Sequence, residues 1–188
     1  MGTLCLVPIY FGTQQGLLSP LSQSLSRIFG VQVKTRPPWF DPEATFDSSR
    51  GQYHSTQLVQ ALLSQPEGQG LRILGVTSVD LYVPVLTYVF GEAQLQGRAA
   101  VVSMHRLRNE LYGLPADEEL LQKRFIKEAI HEMGHTFGLV HCSQSRCVMH
   151  GSTYVEEIDL KLEEFCSACA ESVARQSSLA FPGKPVSG

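Results

Sequence analysis

The residues from His131 to His141, HEMGHTFGLVH, constrain this chain more than any other feature. A spacing of four residues sets His131 and His135 on one helix face about a turn apart, so both rings can reach one ion about 2.0–2.1 Å from each nitrogen. Glu132 sits beside the first histidine but off its axis, where a carboxylate can hydrogen-bond a metal-bound water without ligating the metal. Gly138 comes three residues after His135, and His141 three after that. Glycine accepts a positive φ, so it can end the helix at a sharp turn and let the chain aim His141 at the same ion. Three protein ligands leave a fourth position open to water, as in catalytic metal sites. For HExxH alone, ordinary helix histidines are a live alternative; the added glycine and third histidine decide for metal.

The helix carrying these residues is predicted to start at Pro115, Ala116 and Asp117, with Glu118 and Glu119 in the first turn, where the macrodipole favours negative charge. Leu121, Phe125, Ala129, Ile130, Met133 and Phe137 supply its apolar side. Upstream, Leu4 to Ile9 suits a buried strand, and Val31 to Lys34, Arg72 to Thr77, Thr87 to Ala93 and Arg98 to Met104 suit four more. Ser19 with Pro20 predicts the start of a helix ending at Gly30. Ser55 is predicted to cap another, which buries Leu58, Val59, Leu62 and Leu63 and closes at Gln65 to Gly70. Three prolines between Arg36 and Gln52 predict a loop. A turn near Gln96 and Gly97 makes the last two strands an antiparallel pair. The expected fold class is therefore α/β (α+β), a mixed twisted sheet of about five strands packed with helices. Ser177 to Gly188, rich in serine, proline and glycine, is predicted to be a flexible tail.

At 188 residues the chain can bury a core without disulfides. A net charge of -3 leaves no basic excess to hold a phosphate backbone, so no nucleic-acid partner is expected. Pro8, Gly12, Pro84 and Gly91 interrupt the most apolar stretches, so no membrane helix is expected either. The start, MGTLCLVPIYFG, has no basic n-region or small-residue cleavage pattern. Leu6 stands where myristoylation of Gly2 would need Ser or Thr, and a cytoplasmic location is expected. Oligomeric state is not legible.

Cys142, Cys147, Cys166 and Cys169 form two close pairs around a loop, while Cys5 lies in a predicted buried strand as plain packing. In a reducing compartment such pairs point to metal, and four thiolates fit a closed tetrahedral zinc site. That site would staple a short C-terminal part, which has little core of its own, to the histidine helix. Buried free thiols or a redox pair are the alternative.

HExxHxxGxxH followed by Met149 resembles the metzincin metallopeptidases. Cys142 directly after His141, Cys147 two residues before Met149, and the later Cys166 and Cys169 narrow the resemblance to the archaemetzincins, from about His131 to Cys169 and more loosely upstream. It implies a zinc-dependent metallopeptidase of one catalytic domain over residues 1–176, divided near 138. A catalytic zinc would sit on His131, His135 and His141, with Glu132 as base, Gly138 supporting and Met149 packing beneath. A structural zinc on Cys142, Cys147, Cys166 and Cys169 makes two zinc ions per chain. The partner would be a peptide or protein substrate extended along an edge strand near Thr87 to Gln94, with aminopeptidase-like action on short peptides. Tyr154 is a candidate for the extra tyrosine ligand of some metzincins but lacks the usual adjacency to His150. His150, His54 and His105 are expected to be surface or supporting. The competing function is a zinc-stabilised binding or regulatory module with the peptidase fold and little turnover, against which the intact Glu132 weighs.

Overall fold

Strand β1 (Thr3–Ile9) is covered on both faces, which explains its unbroken apolar sequence. Leu4 and Leu6 enter one apolar cluster with helix α1 (Leu18–Phe29), while Cys5, Val7 and Ile9 enter another. The structure, a computed structural model, describes residues 2–64 and 71–180. After β2 (Gln32–Thr35) come short strands β3 (Phe46–Asp47) and β4 (Gln52–His54), helix α2 (Ser55–Leu63), then β5 (Arg72–Thr77), β6 (Leu81–Tyr82), β7 (Gly91–Ala93) and β8 (Ala99–Ser103). Helices α3 (Glu118–Thr136), α4 (Val155–Leu160) and α5 (Ser167–Ala180) complete the chain.

The main sheet has five strands in the order β2-β1-β5-β8-β7, parallel except for β7, which pairs antiparallel with β8 at one edge. Leu58 and Leu62 of α2 pack with Ile73 and Val101 on one face; α1 and α3 pack with Leu74, Val76 and Val102 on the other. The mixed α/β architecture and the antiparallel last pair are as the sequence predicts. Among the described residues, no helix is long and apolar enough to cross a membrane.

Local expectations needed correction. The strand expected over Thr87 to Ala93 shrinks to Gly91–Ala93. Arg50 donates to the carbonyls of Leu86 and Thr87 at 2.9 and 3.2 Å, and Gln52 to Thr87 at 3.0 Å, so side chains take carbonyls that a ladder would use. The expected loop from Arg36 to Gln52 holds β3 and the start of β4, which join β6 in a second, three-stranded sheet. Helix α1 grows from a 3-10 turn at Gln14–Leu17, so Ser19 and Pro20 lie inside its first turn and Leu17 is the cap. Ser55 is the first residue of α2, and its hydroxyl bonds the Tyr82 carbonyl at 3.0 Å and Glu92 instead of capping. The helix closure expected at 65–70 lies outside the described residues, as does the expected tail beyond Ala180.

Candidate metal centre

Within the expected helix entry at Pro115, Ala116 and Asp117, it is Asp117 that caps α3, accepting the Leu120 N–H at 2.9 Å. The apolar side from Leu121 to Phe137 is buried, which fixes the rotation of the helix and turns Glu128, His131, Glu132 and His135 toward the cleft. Gly138 then takes a φ of +83°, and its N–H bonds the His135 carbonyl at 2.9 Å. Arg72 seals this end, donating to the carbonyls of Thr136 and Gly97 at 2.6 Å each. Its guanidinium lies 3.7 Å over the Phe137 ring, and burial lowers it to about 10.

The turn returns His141 to the helix. Ring centroids of His131 and His135 are 4.7 Å apart, and that of His141 is 5.2 Å from each. His131 Nδ1 meets the Val148 carbonyl at 2.9 Å and His135 Nδ1 meets the Leu139 carbonyl at 2.7 Å. A carbonyl cannot donate, so both Nδ1 atoms carry the proton and both Nε2 atoms present lone pairs. Those Nε2 atoms face each other at 3.1 Å. Lone pairs so placed repel unless a cation lies between them, and two nitrogens bound to one tetrahedral zinc stand about 3.3 Å apart. One nitrogen from each of the three rings lies within 4.8 Å of the others, a set that fits one ion. Burial lowers His131 to about 4 and lowers His135 as well, favouring the neutral form that ligates.

Glu132 is buried under the edge strand. Burial first, then the charges of Glu128 and Glu92, raise its carboxyl well above the ordinary range, with Lys161 opposing. A Cβ at Gly91 would stand 2.6 Å from Glu132 Cγ and 2.7 Å from the Val101 carbonyl, so only glycine lets β7 lie this close. Met149 packs beneath α3 at Gly134, where a methyl would overlap its sulfur. His150 supports: its Nδ1 donates to the Cys142 carbonyl at 2.9 Å. Tyr154 is 64% exposed and lines a recess beside the histidines. His105 lies 4.0 Å from Asp80 and His54 packs on Tyr82, both apart from the cluster.

The sulfurs of Cys142, Cys147, Cys166 and Cys169 lie within 4.8 Å of one another as free thiols. Those of Cys142 and Cys166 are 3.8 Å apart, matching the separation of about 3.8 Å for two thiolates on one tetrahedral zinc. The Gln144 N–H donates to Cys142 Sγ at 3.4 Å and the Cys166 N–H to Cys147 Sγ at 3.3 Å. The Cys169 N–H leads in lowering Cys166 to about 7, while burial raises Cys147 and Cys169. Four thiols this close cannot all ionise without a cation among them. Cys5 is buried in β1 and apart, its thiol raised by burial.

Three buried or part-buried polar contacts around the site escaped the sequence. Lys161 donates to Glu128 at 2.9 Å, Arg124 makes paired bonds to Asp159 at 2.7 and 2.6 Å, and Glu92 is held by Ser55 and by Thr56 at 2.8 Å. The partners are more than thirty residues apart, too far for any spacing rule to join them.

A family model for Peptidase family M54 matches residues 45–175. The archaemetzincin of Methanocaldococcus jannaschii is 38% identical over 170 residues, covering 90% of this chain and 92% of that protein. The archaemetzincin of Methanopyrus kandleri is 45% identical over 134 residues, 71% of this chain and 73% of its own. The crystal structure of the M. kandleri protein aligns with a TM-score of 0.82 at 38% identity, covering 93% of this chain and 94% of that one. A zinc-dependent peptidase from Methanocorpusculum labreanum aligns with a TM-score of 0.80 at 32% identity, covering 92% and 100%. The family match, the identity and the shared fold agree, and the chain belongs to peptidase family M54, the archaemetzincins, as a zinc metallopeptidase.

Proposed function

We propose that this chain hydrolyses peptide bonds in the cleft where His131, His135 and His141 hold a catalytic zinc, and that Cys142, Cys147, Cys166 and Cys169 hold a second, structural one. The observation that carries this reading is the pair of Nε2 lone pairs 3.1 Å apart, with both Nδ1 protons committed to backbone carbonyls, beside the buried Glu132. Zinc held there would supply Lewis acidity, making the attacking water more acidic and polarising the scissile carbonyl. Glu132 takes the proton of the attacking water and returns it to the leaving nitrogen. Its raised affinity for protons suits that task. Free, unpaired thiols are what a reducing cytoplasm would maintain.

A peptide would extend along the free edge of β7. The Phe90 carbonyl and Gln94 N–H turn inward to Ser103 and Ala99, so by alternation Gly91 and Ala93 face outward. So short an edge suits short peptides. An aminopeptidase would also need an open carboxylate for the free amine. Glu92, in the cavity on the Ala93 side, is already held by Ser55 and Thr56, so nothing in that cavity favours a free N-terminus over an internal bond.

Metal content and peptide hydrolysis, measured together on the wild type and Glu132→Ala, test the reading. Two zinc per chain with turnover lost in the variant is the expected result. Turnover unchanged by the substitution would remove Glu132 as base; no turnover in either protein would favour a zinc-stabilised binding module.

A further inference from the structure

A recess of about 430 Å³ opens beside the three histidines, on the side of the Leu86–Phe90 segment. Leu86, Tyr88 and Phe90 give it apolar walls, and the largely exposed Tyr154 stands at its mouth. Its polar lining is of a different kind. Glu128 borders the recess with only 4% of its side chain exposed. Lys161, fully buried behind it, donates to Glu128 Oε1 at 2.9 Å and to the His150 carbonyl at 3.0 Å. Glu128 Oε2 has no such partner among the described residues. The buried Oγ of Ser152, in the same lining, has none either.

A buried polar atom without a partner is costly, and Ser152 Oγ is one; beside it Glu128 Oε2 offers a carboxylate oxygen that Lys161 does not engage. No lysine or arginine lines it, and the two bonds that Lys161 makes go to Glu128 Oε1 and a backbone carbonyl. Antiparallel pairing on β7, the sense in which β7 pairs with β8, sends the C-terminal half of a peptide past this recess. The side chain just after the scissile bond therefore enters it.

We propose that this recess selects a lysine or arginine after the scissile bond. The aliphatic stem lies on the apolar walls, and the ammonium or guanidinium meets Glu128 Oε2 and Ser152 Oγ. An apolar tip would give neither oxygen a partner and would cover Ser152 Oγ unpaired. An acidic tip would face Glu128 and Glu132 together. Glu128 is thus a specificity determinant whose carboxylate Lys161 holds in place. This inference rests on the peptidase reading above, because the recess gains its role from its position beside the scissile bond.

The test uses zinc-loaded protein and three hydroxamates that differ only in the side chain placed on the Leu86–Phe90 side: lysine-like, norleucine-like and glutamate-like. Binding is read by calorimetry, independently of turnover. The lysine-like compound should bind about tenfold or more tightly than the norleucine-like one, the effect of one charge-assisted hydrogen bond, and the glutamate-like compound most weakly. Glu128→Gln leaves Lys161 buried without its partner and risks the fold. The double variant Glu128→Leu, Lys161→Met removes both charges at similar volume and should bring the lysine-to-norleucine ratio to about one or below. Ser152→Ala, a milder change, should lower the ratio about threefold. Equal binding of all three compounds to the wild type, or an unchanged ratio in the double variant, overturns the selection while leaving the peptidase reading intact. Failure of every hydroxamate to bind zinc-loaded protein overturns both.

Discussion

The carbonyl of Val148 accepts the Nδ1–H of His131 at 2.9 Å, and Val148 joins Cys147 to Met149. One peptide thus connects the thiol cluster to the ring orientation of a histidine in the other cluster. Cys142, adjacent to His141, gives a second tie, its N–H donating to the Met149 carbonyl at 2.9 Å. Replacing Cys166 and Cys169 by Ser should remove one metal ion and weaken binding at the histidines roughly 10- to 100-fold, the effect of losing an outer-shell partner. Chelator competition with metal analysis checks this. Undiminished affinity at the histidines after loss of the thiolate metal would show that the two sites are independent.

Gly91→Ala forces a methyl against Glu132 Cγ and the Val101 carbonyl. Either the carboxylate or the edge strand must move, and a displacement of about 1 Å near reacting groups costs on the order of 100-fold in rate. Turnover should fall by at least tenfold at this scale, with metal content unchanged. Loss of metal in parallel with turnover would mean the change reaches beyond Glu132.

Glu132 makes the metal-free protein sensitive to pH in a defined direction. Its carboxyl is raised in the folded state, whereas in the unfolded chain it ionises near about 4.3. Below that pH both states hold the proton and nothing is lost. As pH rises from there toward the folded-state value, the unfolded chain releases a proton that the folded one retains, and stability declines. Glu132→Gln should therefore raise the unfolding midpoint of metal-free protein at neutral pH, with the gain vanishing below about pH 4. Thermal melts of both proteins across pH decide it, and a pH-independent difference would count against a raised carboxyl.

The fold was legible where neighbours in sequence are neighbours in space. His131, Glu132, His135 and Gly138 obey helical geometry, and the cysteines carry their chemistry in their spacing. β3, β4 and β6 are two or three residues long, too short to show a period. Arg72 and Arg124 were missed for the opposite reason. Each looks like a surface charge until distant carbonyls or a distant carboxylate supply the partners that make burial tolerable.

Arg124 is the stronger test of that point, being 4% exposed and bonded to Asp159, Asn109 Oδ1 and the Leu107 carbonyl. Arg124→Met strands the Asp159 carboxylate and should destabilise the protein by about 3 kcal/mol, the lower end of what breaking a buried pair costs. Denaturant titration measures it; a change under about 0.5 kcal/mol would assign the contact no more than a surface pair contributes.

The two borders of the main sheet solve the hazard of self-association differently. The β2 border carries Lys34 and ends at Thr35, and Arg36, Pro37 and Pro38 follow it; the charges and the missing N–H groups deter a neighbouring strand. The β7 border has no such guard and cannot have one if a substrate must lie against it. Its protection is brevity: three residues offer too few pairing groups to template the sheet of another molecule. The same shortness that would leave this border open to a peptide keeps it from seeding aggregates.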